Sequence, residues 1–246
     1  MIVMSIAGVD PSAGAGVFAD IKTFQAIGVY GYGVITALTS QNPNKVYSIK
    51  AIESEYVEEQ IDAVLDFHDV EFIKTGMLYS TDTIKTIAKK IKEYDLKAIV
   101  DPVMIATAGG NLAKDDLSHD LNKYLLPKAY LTTPNISEAE KLTNMEIKNV
   151  DDAVISSKIL AKKCNTLITG GHLDGLNTLN IDNNVSIYKQ KLLKTDNLHG
   201  TGCNLSSAIT AYLAKGNDLE KACRNSFDYV YKSIKNGKYG TLIADL

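Results

Sequence analysis

The segment HGTGC at residues 199–203 combines a histidine, two glycines and a cysteine between a polar loop and an apolar-striped helix. The start of a helix carries backbone N–H groups without intrahelical partners and the positive end of the helix dipole. Gly200 and Gly202 would let an anion approach those amides without a Cβ in the way, which predicts a cradle for a phosphoryl group. The dipole would also favour the thiolate of Cys203, a base for an attacking hydroxyl. A simple glycine-rich helix cap is the other interpretation.

Two acidic positions follow predicted strands. Asp101 stands near the end of one strand, and a lone buried Asp is costly unless a metal or phosphate site lies beside it. Asn135 and Glu138 stand at the start of a helix, where Glu138 could hold Mg²⁺ through water or simply complement the helix dipole. Ser137 and Glu140 have the spacing of a capping box for the same helix.

Gln41 ends another predicted strand, and its amide can both donate and accept hydrogen bonds. That pattern suits the edge of an aminopyrimidine, although a loop-anchoring glutamine would look the same. His68, His119 and His172 show no metal-ligand spacing and are interpreted as surface or loop histidines.

Known nucleotide motifs do not explain the first loop. Residues 14–19, GAGVFA, formally match GxGxxA, but six residues separate them from the first strand and no acidic residue ends the next one. A Rossmann dinucleotide site is therefore not predicted. The sequence also has no GxxxxGK[ST] segment, so a P-loop is excluded.

Strands and helices that alternate along the chain would position these residues. Alternation of this kind predicts βαβ units, a mostly parallel sheet between two helical layers, and a single domain over residues 1–246. In such sheets the loops after the carboxyl ends of the strands carry the site. The predicted strands are 1–7, 34–38, 72–76, 98–103, 130–133 and 167–169, with a hairpin of 178–181 and 185–192; the predicted helices are 17–27, 56–67, 82–94, 117–126, 137–142, 151–163, 202–215 and 219–235.

Composition limits the function classes. The 246 residues carry 26 Lys and Arg against 29 Asp and Glu, a net charge of −3, so no basic excess is available for nucleic acid. No apolar run reaches the roughly 18 residues of a membrane helix, and the apolar N-terminus is too short and wrongly flanked for a signal peptide. Three cysteines without a CxxC pair indicate neither a disulfide framework nor a zinc site, so we expect a cytoplasmic protein.

Taken together, the motifs resemble those of the hydroxymethylpyrimidine and phosphomethylpyrimidine kinases of thiamine biosynthesis, within the ribokinase-like superfamily. Several motifs in family order are far more specific than any one of them alone. They are AGVDPSAGAG (7–16), ADIKTF (19–24), VITAL (34–38) with Gln41 and Asn42, KTGML (74–78), DPVM (101–104), TPN (133–135) with Glu138 and Ala139, GGH (170–172) and HGTGC (199–203).

The resemblance implies a ribokinase-like three-layer α/β/α fold with a central, mostly parallel sheet, and a homodimer. It implies ATP and Mg²⁺ as co-reactants and two successive phosphorylations of the pyrimidine at one site. Carried over by position, Gln41 binds the pyrimidine, while Gly8, Ala15, Asp20, Met77 and Val103 line its pocket. Gly200, Thr201, Gly202 and Cys203 form the anion hole, with Cys203 where sugar kinases carry an Asp base; Asn135, Thr169 and Asp101 lie near ATP, and Glu138 and Asp101 near Mg²⁺.

Thr169 is a departure, because the family often has Lys at this position, before Gly-Gly-His.

Two other functions are alternatives to this one. One is a pyridoxal or pyridoxine kinase, although some pyridoxal-active relatives carry a second cysteine where residues 105–108 here read IATA. The other is a non-catalytic protein that senses a pyrimidine, against which the intact Cys203, Asp101 and Glu138 argue.

Overall fold

The structure, a computed structural model, describes residues 1–104 and 117–245, so the IATA segment lies outside the described residues. Within these described residues, nine strands form one sheet in the order β3-β2-β1-β4-β5-β6-β7-β8-β9. Strand β1 pairs in parallel with β2 and β4, and the parallel pairing continues through β5, β6 and β7. The strands are β1 (Ile2–Val9), β2 (Tyr30–Asn42), β3 (Lys45–Ala51), β4 (Phe72–Thr75), β5 (Lys97–Val100), β6 (Ala129–Thr132), β7 (Asn165–Ile168), β8 (Leu176–Ile181) and β9 (Asn184–Lys189).

Helices cover both faces of the sheet, which confirms the predicted three-layer arrangement. One apolar core joins one face to α2 and α3, and a second joins the other face to α1, α7 and α8. No helix among the described residues is long and apolar enough to cross a membrane. The helices are α1 (Gly16–Ile27), α2 (Ser54–Leu65), α3 (Thr81–Glu93), α4 (Ser118–Asp120), α5 (Ile136–Thr143), α6 (Val150–Leu160), α7 (Thr201–Ala214) and α8 (Leu219–Lys235).

Successive side chains of the central strands point into the two cores in turn. Val3 and Ile99 belong to the core with α1, α7 and α8, whereas Met4, Ala98 and Val100 belong to the opposite core. Side chains of a strand point to alternate faces, so a strand covered on both sides reads as a continuous apolar run. This is why the sequence located β1, β4 and β5.

The β2–β3 ribbon was only partly predicted. β2 is much longer than the predicted 34–38, and the antiparallel edge strand β3 was missed. Glycine is usually unfavourable inside a strand. Gly31 and Gly33 nevertheless lie inside β2, because α1 packs directly on them. A Cβ on Gly31 would lie 2.4 Å from Cδ2 of Phe24, and one on Gly33 would lie 2.6 Å from Cγ1 of Val17. The side chains of β3 are half-buried or exposed, so no apolar pattern marks the strand.

Other predictions differ in detail. The predicted helix 117–126 is an irregular stretch in which α4 continues into a π-turn (Leu121–Leu125) and a 3₁₀ turn (Leu126–Lys128). The hairpin between β8 and β9 is confirmed, with Asp182 and Asn183 in the left-handed region that tight hairpin turns require. Gly28 caps α1 in the left-handed conformation.

Candidate active site

The start of α7 forms an open turn at the carboxyl edge of the parallel strands. Gly200 is the N-terminal cap residue with φ 89°, and a Cβ there would lie 1.7 Å from the carbonyl oxygen of Gly14, so the turn needs glycine. Gly202 is exposed, and a Cβ on it would approach only Oδ2 of Asp101, at 3.9 Å. The Thr201 hydroxyl donates a hydrogen bond of 2.7 Å to the carbonyl oxygen of Leu198. The Thr201 N–H already donates to the carbonyl of Leu198, at 3.2 Å, so the exposed backbone at Gly202 is where an anion can approach the turn.

The protonation state of Cys203 differs from the prediction. Burial raises the pKa of its thiol to about 12, and the charges of Asp101 and Asp20 raise it further. The charge of Lys74 and a hydrogen bond from the Gly16 backbone N–H act in the opposite direction but are outweighed. The expectation that a thiolate is favoured at Cys203 is therefore wrong, because desolvation of the buried sulfur raises the pKa of the thiol.

Asp101 and Glu138 form a buried acidic pair. Asp101 follows β5, is 4% exposed, and accepts a hydrogen bond of 3.1 Å from the Ser206 hydroxyl. Burial raises the pKa of Asp101, with Lys74 opposing the shift. Burial also raises the pKa of Glu138 to about 8, and the charge of Asp101 adds to that rise. Two neighbouring carboxyl groups with raised pKa values are suited to a bound cation.

The capping box of α5 is made by other residues than predicted. The Asn135 side-chain oxygen accepts from the Glu138 N–H, and the Glu138 carboxylate accepts from the Asn135 N–H, both at 3.0 Å. The assignment to Ser137 and Glu140 is wrong, since Glu140 instead accepts from the Ile147 N–H at 2.8 Å. Glu138 thus fixes the start of α5 and is also near enough to Asp101 for that charge to raise its pKa.

The predicted ATP-side residues lie on neighbouring chain segments. Asn135 and Thr169 form a parallel bridge in which the Thr169 N–H donates to the carbonyl of Pro134 at 2.9 Å. Two threonines that the sequence analysis missed stand at the same edge: Thr75 at the end of β4 and Thr133 just after β6. Their hydroxyl oxygens are buried and have no hydrogen-bond partner among the described residues. Such atoms are acceptors and donors left over for a ligand or water.

The predicted pyrimidine pocket has an apolar wall. Met77 packs with Ala37, and Val103 and Val46 lie against them. Gly8 is covered so closely that a Cβ would lie 2.3 Å from Cε of Met77. Gln41 is half-buried in β2 and pairs in register with Val46, which places it beside this wall.

The first loop packs against both the apolar wall and the anion turn. The Gly16 backbone is near enough to Cys203 to lower the pKa of its thiol, and a Cβ on Gly16 would lie 2.2 Å from the carbonyl oxygen of Gly8. Ala15, half-buried, adjoins Gly200, whose added Cβ would lie 3.3 Å from its Cα. The first loop therefore connects Cys203 to the wall that contains Met77.

Asp20 has a different place from the predicted one. Its carboxylate is fully buried and forms an ion pair with Lys74 at 2.9 Å. The hydroxyls of Ser5 and Ser207 also donate to it. The prediction that Asp20 lines the substrate pocket is therefore wrong, because this carboxylate is enclosed by its own partners. The signal for the pair was Lys74 itself, a charged residue within the apolar strand FIKT.

The remaining histidines agree with their interpretation. His119 and His172 are exposed, and His68 stacks against Tyr32 and Phe67. Within residues 1–104 and 117–245, no group of three or more His, Cys, Asp or Glu side chains could hold a metal ion.

Phosphoryl transfer requires positioned anion-binding amides, a group that takes the proton of the attacking hydroxyl, and neutralisation of the phosphate charge. A mostly parallel sheet that gathers these at the start of α7 defines a small-molecule phosphotransferase with the ribokinase-like fold. The family model for phosphomethylpyrimidine kinase matches residues 10–242. The chain belongs to the phosphomethylpyrimidine kinase family, as the resemblance predicted.

The proteins similar to this chain include pyrimidine kinases and a pyridoxal kinase. The hydroxymethylpyrimidine/phosphomethylpyrimidine kinase of Bacillus subtilis (strain 168) is 38% identical over 240 residues, which cover 95% of this chain and 89% of that protein. The crystal structure of phosphomethylpyrimidine kinase from Clostridium difficile 630 has a TM-score of 0.85 at 39% identity, covering 95% of this chain and 99% of that one. A pyridoxal kinase from Staphylococcus aureus, in complex with AMP-PCP and pyridoxal, has a TM-score of 0.88 at 29% identity, covering 99% and 92%.

Proposed function

We propose that this kinase transfers a phosphoryl group from ATP to the hydroxymethyl group of 4-amino-5-hydroxymethyl-2-methylpyrimidine, and then a second one to the monophosphate, in thiamine biosynthesis. The observation that carries the proposal is that the first loop packs both against the anion turn, at Gly200, and against the apolar wall beside Gln41, at Gly8. A neutral heterocycle needs an apolar slot with few polar groups, and Met77 and Val103 supply apolar surface there.

Cys203 is the proposed base for the attacking hydroxyl. Burial raises the pKa of its thiol to about 12, so the thiol is protonated at neutral pH and must lose that proton before it acts as a base. The charge of Asp101 is one cause of that rise, so neutralising Asp101 would lower the pKa of the thiol and increase the fraction of thiolate, the form that can accept the proton of the hydroxyl. The amides at Gly202 would then hold the transferred phosphoryl group.

Asp101 and Glu138 are the proposed Mg²⁺ residues. Both are buried carboxyl groups with raised pKa values, and magnesium is usually held by one or two carboxylates together with water and phosphate oxygens. A bound Mg²⁺ would supply positive charge for the phosphates of ATP. Asn135 and Thr169 would lie toward ATP, with Thr169 providing no cationic contact.

A pyridoxal kinase is the second candidate, since a structural relative with a TM-score of 0.88 is described as a pyridoxal kinase in complex with pyridoxal. The deciding experiment incubates the enzyme with ATP, Mg²⁺ and either the hydroxymethylpyrimidine or pyridoxal, and follows the products by mass spectrometry. We expect mono- and diphosphate of the pyrimidine, formed faster than pyridoxal phosphate. Faster turnover of pyridoxal would reverse the order of the two proposals, and binding without turnover would favour a sensor.

We also propose a cytoplasmic homodimer without a nucleic-acid partner. A base at Cys203 must stay reduced, which suits a reducing compartment, and the net charge of −3 offers nothing to a phosphate backbone. Exposed apolar side chains at Phe18, Leu38 and Tyr47 provide surface for a second copy. Analytical ultracentrifugation tests the dimer, and a monomer at micromolar concentration would contradict it.

A further inference from the structure

A buried contact between His199 and Asp10 joins the anion turn to the first loop. Nε2 of His199 lies 2.7 Å from Oδ2 of Asp10, and the two side chains are 7% and 1% exposed. Nδ1 of His199 is buried and has no hydrogen-bond partner among the described residues. The contact with Asp10 therefore fixes the orientation of the imidazole ring.

Asp10 organises the first loop at the same time. Its carboxylate accepts hydrogen bonds from the backbone N–H groups of Ser12 and Ala15, at 2.8 and 3.0 Å, and from the Ser12 hydroxyl at 2.8 Å. Burial acts to raise the pKa of Asp10, but the hydrogen bonds from His199 and Ser12 outweigh it and hold this pKa below its ordinary value. Asp10 is thus an ionised acceptor for both segments.

His199 and Gly200 also pack directly against the first loop. A Cβ on Gly14 would lie 2.6 Å from Cδ2 of His199, so the ring packs on the backbone of the first loop. The next residue, Gly200, packs on the carbonyl of Gly14 in turn. The His199 N–H donates to the carbonyl of Gly240 at 3.3 Å, which ties the same residue to the C-terminal segment.

We propose that His199, oriented by Asp10, is a positioning residue that holds the turn from Gly200 to Cys203 against the first loop. It touches neither substrate nor reacting atoms; it fixes where the anion-binding amides and the Cys203 sulfur stand relative to the pocket. Because preorganised donors stabilise a transition state only when correctly placed, displacement of the turn slows the chemical step more than it weakens binding. The proposal rests on the phosphoryl transfer proposed above.

Four variants test the pair. His199→Leu and Asp10→Asn break the contact or remove its charge, and the double variant Asp10→Asn with His199→Leu tests whether the two act as one unit. His199→Gln keeps an N–H donor of similar reach. His119→Gln, in an exposed histidine outside the site, is the matched control. Each is compared with the wild type for kcat per bound site, for the dissociation constant of the pyrimidine by calorimetry, and for the melting temperature.

We expect His199→Leu and Asp10→Asn to lower kcat about 10- to 100-fold while the pyrimidine dissociation constant changes no more than about threefold. His199→Gln should recover most of the rate, and the double variant should be no worse than the slower single variant. Unchanged kcat per bound site, equal losses in binding and rate, or losses that multiply in the double variant would overturn the proposal. If His199→Leu does not fold, Asp10→Asn and His199→Gln decide.

Alkylation of Cys203 by iodoacetamide gives a readout that needs no substrate. A released turn should expose the sulfur, so peptide mass spectrometry should show faster alkylation of Cys203 in His199→Leu and Asp10→Asn but not in His119→Gln. Equal rates in all variants would contradict the positioning role. If the wild type phosphorylates neither the pyrimidine nor pyridoxal, the proposed function fails, and this measurement still decides the role of His199.

Discussion

Asp101 directly follows β5, Glu138 lies in the first turn of α5 after the neighbouring strand β6, and the charge of Asp101 contributes to raising the pKa of Glu138 to about 8. Burial is the larger cause of that rise. Both carboxyl groups therefore have raised pKa values, and the positive charge of Lys74 does not offset the rise at Asp101.

Glu138→Gln should change both stability and magnesium dependence. The folded pKa of about 8 lies above the ordinary 4.5, so without metal the folded chain keeps a proton that the unfolded chain releases, and stability falls as pH rises through this window. Glutamine cannot lose that proton but can still accept from the Asn135 N–H. The melting temperature should thus decline less between about pH 6 and pH 8 in the variant. Mg²⁺ should raise it in the wild type only; an equal rise in both would contradict the assignment.

Cys203→Ala should lower kcat about 10²- to 10⁴-fold if the sulfur is the base. Because the pKa of the thiol is raised to about 12, the thiolate fraction increases steadily from neutral to alkaline pH. The wild-type log(kcat/KM) should therefore rise with pH, and this slope should disappear in the variant. Cys223→Ala, in the core beside α7, should keep the slope. A steady-state rate unaffected by Cys203→Ala would remove the proposed role.

Gln41→Ala should raise KM for the pyrimidine about tenfold, the value of one or two lost hydrogen bonds. KM for ATP should change little, because Gln41 stands at the β2–β3 ribbon and away from the acidic pair. Ser40→Ala, on the neighbouring exposed residue, is the control. Equal increases in both KM values would show that Gln41 does not select the pyrimidine.

Gly202→Ala and Gly200→Ala should separate function from folding. At Gly202 an added Cβ meets nothing nearer than Oδ2 of Asp101, at 3.9 Å, so the variant should fold and gain about 0.5–1 kcal/mol of helix stability. Its Cβ would obstruct an anion, and activity should fall. Gly200→Ala should lose more than about 1 kcal/mol, since its φ is 89° and the Cβ overlaps the Gly14 carbonyl. Urea unfolding and steady-state kinetics measure both; a fully active Gly202→Ala would argue against an anion at this turn.

Lys74→Met should cost about 3–5 kcal/mol, because it leaves the Asp20 carboxylate buried without its counter-charge. Adding Asp20→Asn should recover most of this loss, since both charges are then absent. Lys89→Met, which removes an exposed partner of Glu58, should cost far less. The free energy of unfolding in urea gives all four values, and a single variant as stable as the wild type would show that the pair is not needed.

Prediction from the sequence worked where the signal is local. The buried strands β1, β4 and β5 were recognised as apolar runs, and the Asp182-Asn183 turn was recognised from its own residues. The anion turn was located because glycines stood just before an apolar-striped helix, and its openness at Gly202 agrees with that. Edge strand β3 was not predicted, because its side chains are half-buried or exposed and show no apolar pattern.

The sequence by itself determined the class of fold, the order of its elements and the residue types at the carboxyl edge, because periodicity and turn chemistry depend on neighbours in the chain. Only the tertiary structure decided which groups meet across long separations: Asp20 with Lys74 over 54 positions, and Asp10 with His199 over 189. It also reversed the expected protonation of Cys203, since desolvation depends on what packs around a sulfur and not on which residues precede it.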